Sequence, residues 1–213
     1  MTERTIVHLL RHGEVFNPDG ILYGRLPDFH LSDLGREMAV RAAETTEGRD
    51  IAVVTASPLE RAQETAAPVA AMHGVPVGTD DNLIEAGNIF EGKTVGVGDG
   101  ILKQPMLWRH LYNPFRPSWG EPYAEIADRM QLAVDRARNE ARGREAFLVS
   151  HQSPIWILRL SLEGRRFVHD PRSRQCSLAS ITSLLYDDDE LTAIVYTEPA
   201  ADLVARASKG FGA

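Results

Sequence analysis

Near the N-terminus, Leu10-Arg11-His12-Gly13-Glu14 follows directly on the apolar stretch Ile6-Val7-His8-Leu9-Leu10. This order sets a guanidinium and an imidazole at the end of a buried strand. His151 follows a second apolar run, Ala146-Phe147-Leu148-Val149-Ser150, so two strand ends remote in sequence each present a histidine. Between them, Ile51-Ala52-Val53-Val54-Thr55 reads as another buried strand. Ser57-Pro58-Leu59-Glu60 then supplies a capping serine, a proline at the first helical position and a glutamate three residues after the cap. That helix start carries Arg61 in its first turn, at the same sheet edge as His12. Open α/β sheets bind ligands where strands end.

A pocket holding Arg11, Arg61, His12 and His151 is suited to a phosphoryl dianion, because planar guanidiniums match its oxygens and stay charged at all working pH. The same cations disfavour imidazolium. One histidine can therefore remain neutral as a nucleophile while bound phosphate stabilises charge on the other. Phosphoryl transfer needs alignment and charge stabilisation, which arginines and a histidine supply without Mg²⁺. The leaving alkoxide needs a proton, and Glu85, in Asn82-Leu83-Ile84-Glu85-Ala86-Gly87, is a carboxyl whose partial burial would raise its pKa enough to give one. Two plainer readings compete: arginines as structural ion-pair partners, and a metal site on the histidines. The second lacks short ligand spacing, and adjacent arginines repel a cation.

The motifs occur together in an order that resembles the histidine phosphatase superfamily, in its phosphoglycerate-mutase-like branch. The matching segments are Arg11-His12-Gly13-Glu14, Leu31-Ser32-Asp33-Leu34-Gly35, Ser57-Pro58-Leu59-Glu60-Arg61-Ala62, Glu85 with Phe90-Glu91-Gly92, Gly120-Glu121 and Ser150-His151. The resemblance implies a phosphohistidine on His12, with Arg11, Arg61 and His151 holding the phosphoryl group and Glu85 as proton donor and then base for water. It implies substrate contacts from Asn17, which arrives one residue early, and from Gln152 and Ser153, which stand where two glycines are common. The Glu85 to Phe90 spacing is one residue shorter than usual in the family. Glu85-Ala86-Gly87-Asn88-Ile89 replaces the Glu-Arg-His-Tyr-Gly segment of true mutases. The resemblance thus favours a metal-independent phosphatase acting on a small phosphomonoester, with no cofactor. A mutase and a non-enzymatic phospho-ligand binder are the alternatives.

The elements needed to place these groups are those of an α/β protein: a three-layer α/β/α sandwich with a mostly parallel central sheet and an insertion over the active-site edge. Ser32 caps a helix with Leu34, Met38 and Ala42 at four-residue spacing. Residues 80–120 lose the alternation, broken by Gly92, Gly96, Gly98, Gly100, Pro105, Pro114 and Pro117, and form the insertion. Gly96-Val97-Gly98-Asp99-Gly100 lacks the features of a nucleotide loop and reads as a turn. Trp108, His110, Phe115, Trp119 and Tyr123 either form an aromatic recognition wall or pack the insertion down. A helix from about Glu121 carries Ile126, Met130, Ala133 and Ala137 on one face, and a buried helix spans Pro154 to Leu160. Ser180–Tyr186 and Leu191–Tyr196 flank an acidic turn as a hairpin. The expectation is one domain over 1–213, with the tail 199–213 loosely attached.

Composition bounds the rest. The chain has 213 residues, is 43% hydrophobic and 25% charged, and has no apolar run long enough to span a bilayer. Cys176 is its only cysteine, which excludes an internal disulfide, and the N-terminus has no signal-peptide core, so the expected location is cytoplasmic. A net charge of -7 argues against a nucleic-acid-binding face. The run Arg165, Arg166, Arg172, Arg174 opposes that sign. Its ordinary reading is a solvated loop, its alternative a contact for an anionic substrate.

Overall fold

The computed structural model describes residues 3–93, 120–170 and 173–207. Its strands are β1 (Arg4–Arg11), β2 (Ile51–Ala56), β3 (Val77–Thr79), β4 (Glu145–Ser150), β5 (Ile181–Asp187) and β6 (Glu190–Thr197). They form one sheet in the order β3-β2-β4-β1-β5-β6. The first four run parallel, and the β5–β6 hairpin is antiparallel. The helices are α1 (Asp33–Glu44), α2 (Glu60–His73), α3 (Tyr123–Glu140), α4 (Gln152–Leu162) and the short α5 (Ala201–Val204).

The central strands are apolar on both sides, as strands covered on both faces must be. Val7 and Leu9 of β1 and Ala146 and Leu148 of β4 join Ile126, Met130, Ala133, Ile155 and Trp156 in one core beneath α3 and α4. The alternate residues Leu10, Phe147 and Val149 join Met38, Ala42, Ala62, Ala66 and Val69 beneath α1 and α2. The expected three-layer sandwich is therefore what the chain adopts. Ser32 caps α1 as expected, its side chain accepting from the Gly35 N–H at 2.9 Å. Among the described residues no helix is long and apolar enough to cross a membrane.

Three details differ from the sequence reading. Ser57 does not cap α2: the helix starts at Glu60 after Leu59, which gives no side-chain cap, and Ser57 faces a histidine instead. A fourth parallel strand, β3, pairs beside β2. Residues 200–207 of the expected loose tail are anchored, because Ala200 and Leu203 are buried in the core under α1 and α2, and residues 208–213 lie outside the described residues. Trp108, His110, Phe115, Trp119 and the Gly96–Gly100 turn lie outside the described residues.

Candidate active site

Strand register brings the chemistry together. Arg11 pairs with Ser150, and Val149 pairs with Ala56, so β1, β4 and β2 end at one level. The ladder runs one step further, with the His12 N–H donating to the Ser150 carbonyl (3.1 Å) and the Ser57 N–H to the Val149 carbonyl (2.9 Å). His12, His151 and Ser57 are thus each the first residue beyond a strand, side by side. The two imidazole centroids lie 5.1 Å apart.

Hydrogen bonds decide where the histidine protons sit. His12 Nδ1 is 2.8 Å from the Gly13 carbonyl oxygen. A carbonyl only accepts, so Nδ1 carries the proton and Nε2 holds the lone pair. That Nε2 is buried and has no hydrogen-bond partner among the described residues. His151 is the mirror case, with Nε2 2.8 Å from Ser57 Oγ and Nδ1 buried and unpartnered. Ser57 Oγ accepts a long bond from the Leu59 N–H at 3.4 Å. A serine hydroxyl both donates and accepts, and in the tautomer where Ser57 donates to His151 Nε2 the ring proton sits on Nδ1. Both rings are fully buried, and burial, followed by the Arg61 charge, holds each well below the ordinary imidazole value.

The arginines are tethered on one side and open on the other. Arg61 is fully buried, donates from Nη2 to the Gly24 carbonyl at 2.5 Å, and stacks its guanidinium 4.7 Å from the Tyr23 ring centroid. Its Nε and Nη1 have no partner among the described residues. Arg11 donates from Nη1 to the Cys176 carbonyl at 2.8 Å, and its Nε is unpartnered. Glu85 is 4% exposed; its Oε1 accepts from the Ala86 N–H at 2.7 Å and its Oε2 has no partner. Burial raises its pKa against the pull of that N–H and of Arg61, Arg174 and Arg11. Buried polar atoms are normally paired. Here the unpaired ones are guanidinium donors, an imidazole N–H, an imidazole lone pair and a carboxyl oxygen, the complement of a phosphomonoester. Cys176 adds its carbonyl alone, since burial pushes its thiol up to about 11.

Supporting contacts explain the surrounding motifs. Thr65 Oγ accepts from the Gly13 N–H at 3.2 Å and donates to the Arg61 carbonyl at 2.6 Å, tying the His12 turn to α2. A Cβ on Gly13 would lie 2.4 Å from the Gly35 carbonyl oxygen, and one on Gly35 would lie 2.0 Å from that of Glu14. Glycine at both positions lets the turn press onto the start of α1, where Ser32 Oγ donates to Glu14 Oε2 at 2.5 Å. Glu121 holds two arginines: Arg25 (2.7 Å) and Arg129 (2.8 and 3.1 Å). These donate in turn to the Glu85 carbonyl (2.7 Å) and the Asn82 carbonyl (2.6 Å), clamping the loop that presents the acid.

Of the residues picked from sequence, His12, His151, Arg11, Arg61 and Glu85 share this edge. Asn17 spends its side chain on the chain itself: Nδ2 donates to the Ile21 carbonyl (2.8 Å) and Oδ1 accepts from the Ile21 N–H (3.0 Å). Gln152 and Ser153 form the first turn of α4, whose N–H groups have no partner four residues back, and Pro154 has no N–H to offer. Gln152 also bonds the Cys176 carbonyl at 3.3 Å. The arginine run divides: Arg165 and Arg166 are exposed, Arg172 is outside the described residues, and Arg174 is half-buried beside Gln152 rather than solvated. Sequence reasoning missed Ser57 as a histidine partner, and also Tyr23, Thr65, Arg25 and Arg129. Ser57 and Thr65 were legible as polar residues at buried positions next to the motifs; the others meet the site through folding alone.

A family model described as histidine phosphatase superfamily (branch 1) matches residues 7–199. The Mycobacterium tuberculosis H37Rv protein Rv0525 is 59% identical over 201 residues, covering 94% of this chain and all of that protein. A glucosyl-3-phosphoglycerate phosphatase of Mycolicibacterium vanbaalenii is 33% identical over 166 residues, 73% of each chain. Among solved structures, Bacillus stearothermophilus YhfR superposes with a TM-score of 0.71 at 25% identity, over 91% of this chain and 95% of that one.

Proposed function

The chain belongs to the histidine phosphatase superfamily, branch 1, and from that premise we propose that it is a metal-independent phosphatase hydrolysing a small phosphomonoester through a phosphohistidine on His12. The observation that carries this reading is the His12 ring: the Gly13 carbonyl accepts a hydrogen bond from Nδ1–H and leaves the Nε2 lone pair buried and without a partner among the described residues, in the field of Arg61 and Arg11. A neutral, oriented imidazole beside cations that bind the electrophile is an activated nucleophile.

In the first step Nε2 forms the N–P bond as the ester P–O bond breaks. Its electron pair leaves on the alkoxide, which takes the Glu85 proton and departs as the alcohol. In the second step the Glu85 carboxylate removes a proton from water, the water oxygen bonds to phosphorus, and the N–P pair returns to His12. Arg11, Arg61 and the His151 Nδ1–H stabilise charge on the phosphoryl oxygens in both steps. Two considerations support water over a second substrate as acceptor: the relative from Mycolicibacterium vanbaalenii is a phosphatase, and the mutase segment after the acid is replaced by Ala86-Gly87-Asn88-Ile89. Donor chemistry supports metal independence, because the positive charges of Arg61 and Arg11 act on both imidazoles and would oppose a bound cation.

The test is phosphate release from a panel of phosphomonoesters in EDTA, run beside H12A. The expected result is many turnovers by the wild type, inhibition by vanadate and none by H12A. Retained turnover in H12A would overturn the mechanism, and transfer of the phosphoryl group to an added acceptor without release of phosphate would indicate a mutase.

A further inference from the structure

We propose that Arg174 is the specificity-determining residue of this site and selects phosphomonoesters whose alcohol portion carries a second anionic group close to the ester oxygen. The inference rests on the hydrolase reading above and names its substrate class.

Arg174 is connected to the phosphoryl-holding groups by a continuous chain of hydrogen bonds. The Cys176 carbonyl accepts from Arg11 Nη1 (2.8 Å) and from Gln152 Nε2 (3.3 Å), and Gln152 Oε1 accepts from Arg174 Nη1 at 3.5 Å. Gln152 directly follows His151, so the third guanidinium sits one side chain away from the imidazole. On its other flank, Arg174 Nε donates to His169 Nε2 at 2.9 Å. His169 Nδ1–H is committed to the Phe167 carbonyl at 2.6 Å, so its Nε2 can only accept and the ring is neutral. Tyr123 and Trp156 hold that ring in place, with centroids 6.2 and 6.0 Å away.

Every one of these partners is neutral. Among the described residues no carboxylate lies within ion-pair distance of Arg174, and its hydrogen-bond partners are Gln152 and His169. A half-buried guanidinium with neutral partners retains its full charge, and withdrawing charge from water is costly without a counter-ion. Arg11 and Arg61 already match a phosphoryl group. Arg174 stands beyond them, joined through Gln152 to the Cys176 carbonyl that tethers Arg11, on the side we assign to the alcohol portion of the substrate. Its bonds to described residues occupy Nε and one Nη1 proton, leaving Nη2 and the other Nη1 proton as a fork for two anionic oxygens. A carboxylate and a second phosphate both offer that pair.

The experiment compares kcat/KM for 3-phosphoglycerate, glycerol 1,3-bisphosphate and glycerol 3-phosphate in the wild type, R174M and R174K. A charge-assisted fork predicts that an anionic ester exceeds glycerol 3-phosphate by about 10–100-fold in the wild type. The ratio should fall towards one in R174M and recover in part in R174K; which anionic ester leads identifies carboxylate or phosphate. A ratio near one in the wild type, or the same ratio in R174M, overturns the proposal. Calorimetric Kd values for the three esters, measured on H12A with and without R174M, give the ratio independently of turnover. Absent hydrolysis with a selective, Arg174-dependent Kd therefore rejects the hydrolase reading alone.

Discussion

Replacing Ser57 with alanine separates two accounts of one residue. If Ser57 were a helix cap, S57A would cost about 1 kcal/mol of stability, a fall of about 2–4 °C in Tm for a chain of this size, and leave catalysis alone. The structure gives the hydroxyl another role, since Oγ lies 2.8 Å from His151 Nε2, and by donating there it would hold the ring proton on the unpartnered Nδ1. Without that hydroxyl, the proton can move to Nε2, turning Nδ1 into an acceptor that repels phosphoryl oxygens. The loss of one buried hydrogen bond and its orphaned partner is about 1–3 kcal/mol. Expressed on the transition state, that is roughly a 10–100-fold fall in kcat/KM. The assay is p-nitrophenyl phosphate hydrolysis by wild type, S57A and S57T, with Tm measured on the same samples. S57T keeps the hydroxyl and should recover much of the loss. A kcat/KM for S57A within twofold of wild type, whatever its Tm, would refute the argument.

Other expectations follow from the same geometry. Turnover should be bell-shaped in pH. It falls as pH drops through the depressed His12 value, because imidazolium has no lone pair, and falls as pH rises through the raised Glu85 value, because carboxylate has no proton to give. E85Q should lose about 10²–10⁴-fold on alkyl phosphates, yet release a single burst of nitrophenolate from p-nitrophenyl phosphate, whose leaving group needs no proton. Equal loss of the burst and of alkyl ester cleavage would remove Glu85 as the acid. In G35A the new Cβ would be forced to within 2.0 Å of the Glu14 carbonyl, and overpacking of this kind costs about 1–3 kcal/mol. A Tm equal to that of the wild type would show that the turn yields freely.

The parallel strands were legible because each is a short apolar run covered on both faces, and the site residues because strand ends carried unusual polar groups next to those runs. β3 escaped notice, being three residues with Gly78 at its centre, too short for any period. The anchoring of the tail depends on Ala200 and Leu203, two side chains that sequence alone cannot distinguish from solvent-facing ones. Ser57 was misjudged because local spacing satisfied a capping pattern, while its real partner is 94 residues away. Arg174 was hidden for the same reason: a charge run looks solvated until folding sets one member against Gln152 and His169.

The position of β4 also governs when the site comes into being. β1 and β2 share no ladder; each pairs with β4, which is inserted between them. A growing chain that has not yet produced residue 145 can fold neither strand against the other. His12 and Arg61 then belong to pieces without mutual register. The last tether of Arg11, the Cys176 carbonyl, lies 165 residues downstream. Such long-range pairing slows folding, and it means that the nucleophile acquires its phosphoryl-binding partners only after most of the polypeptide has been made. Nascent or truncated chains therefore carry the Arg11-His12 motif without the ability to capture a phosphoryl group.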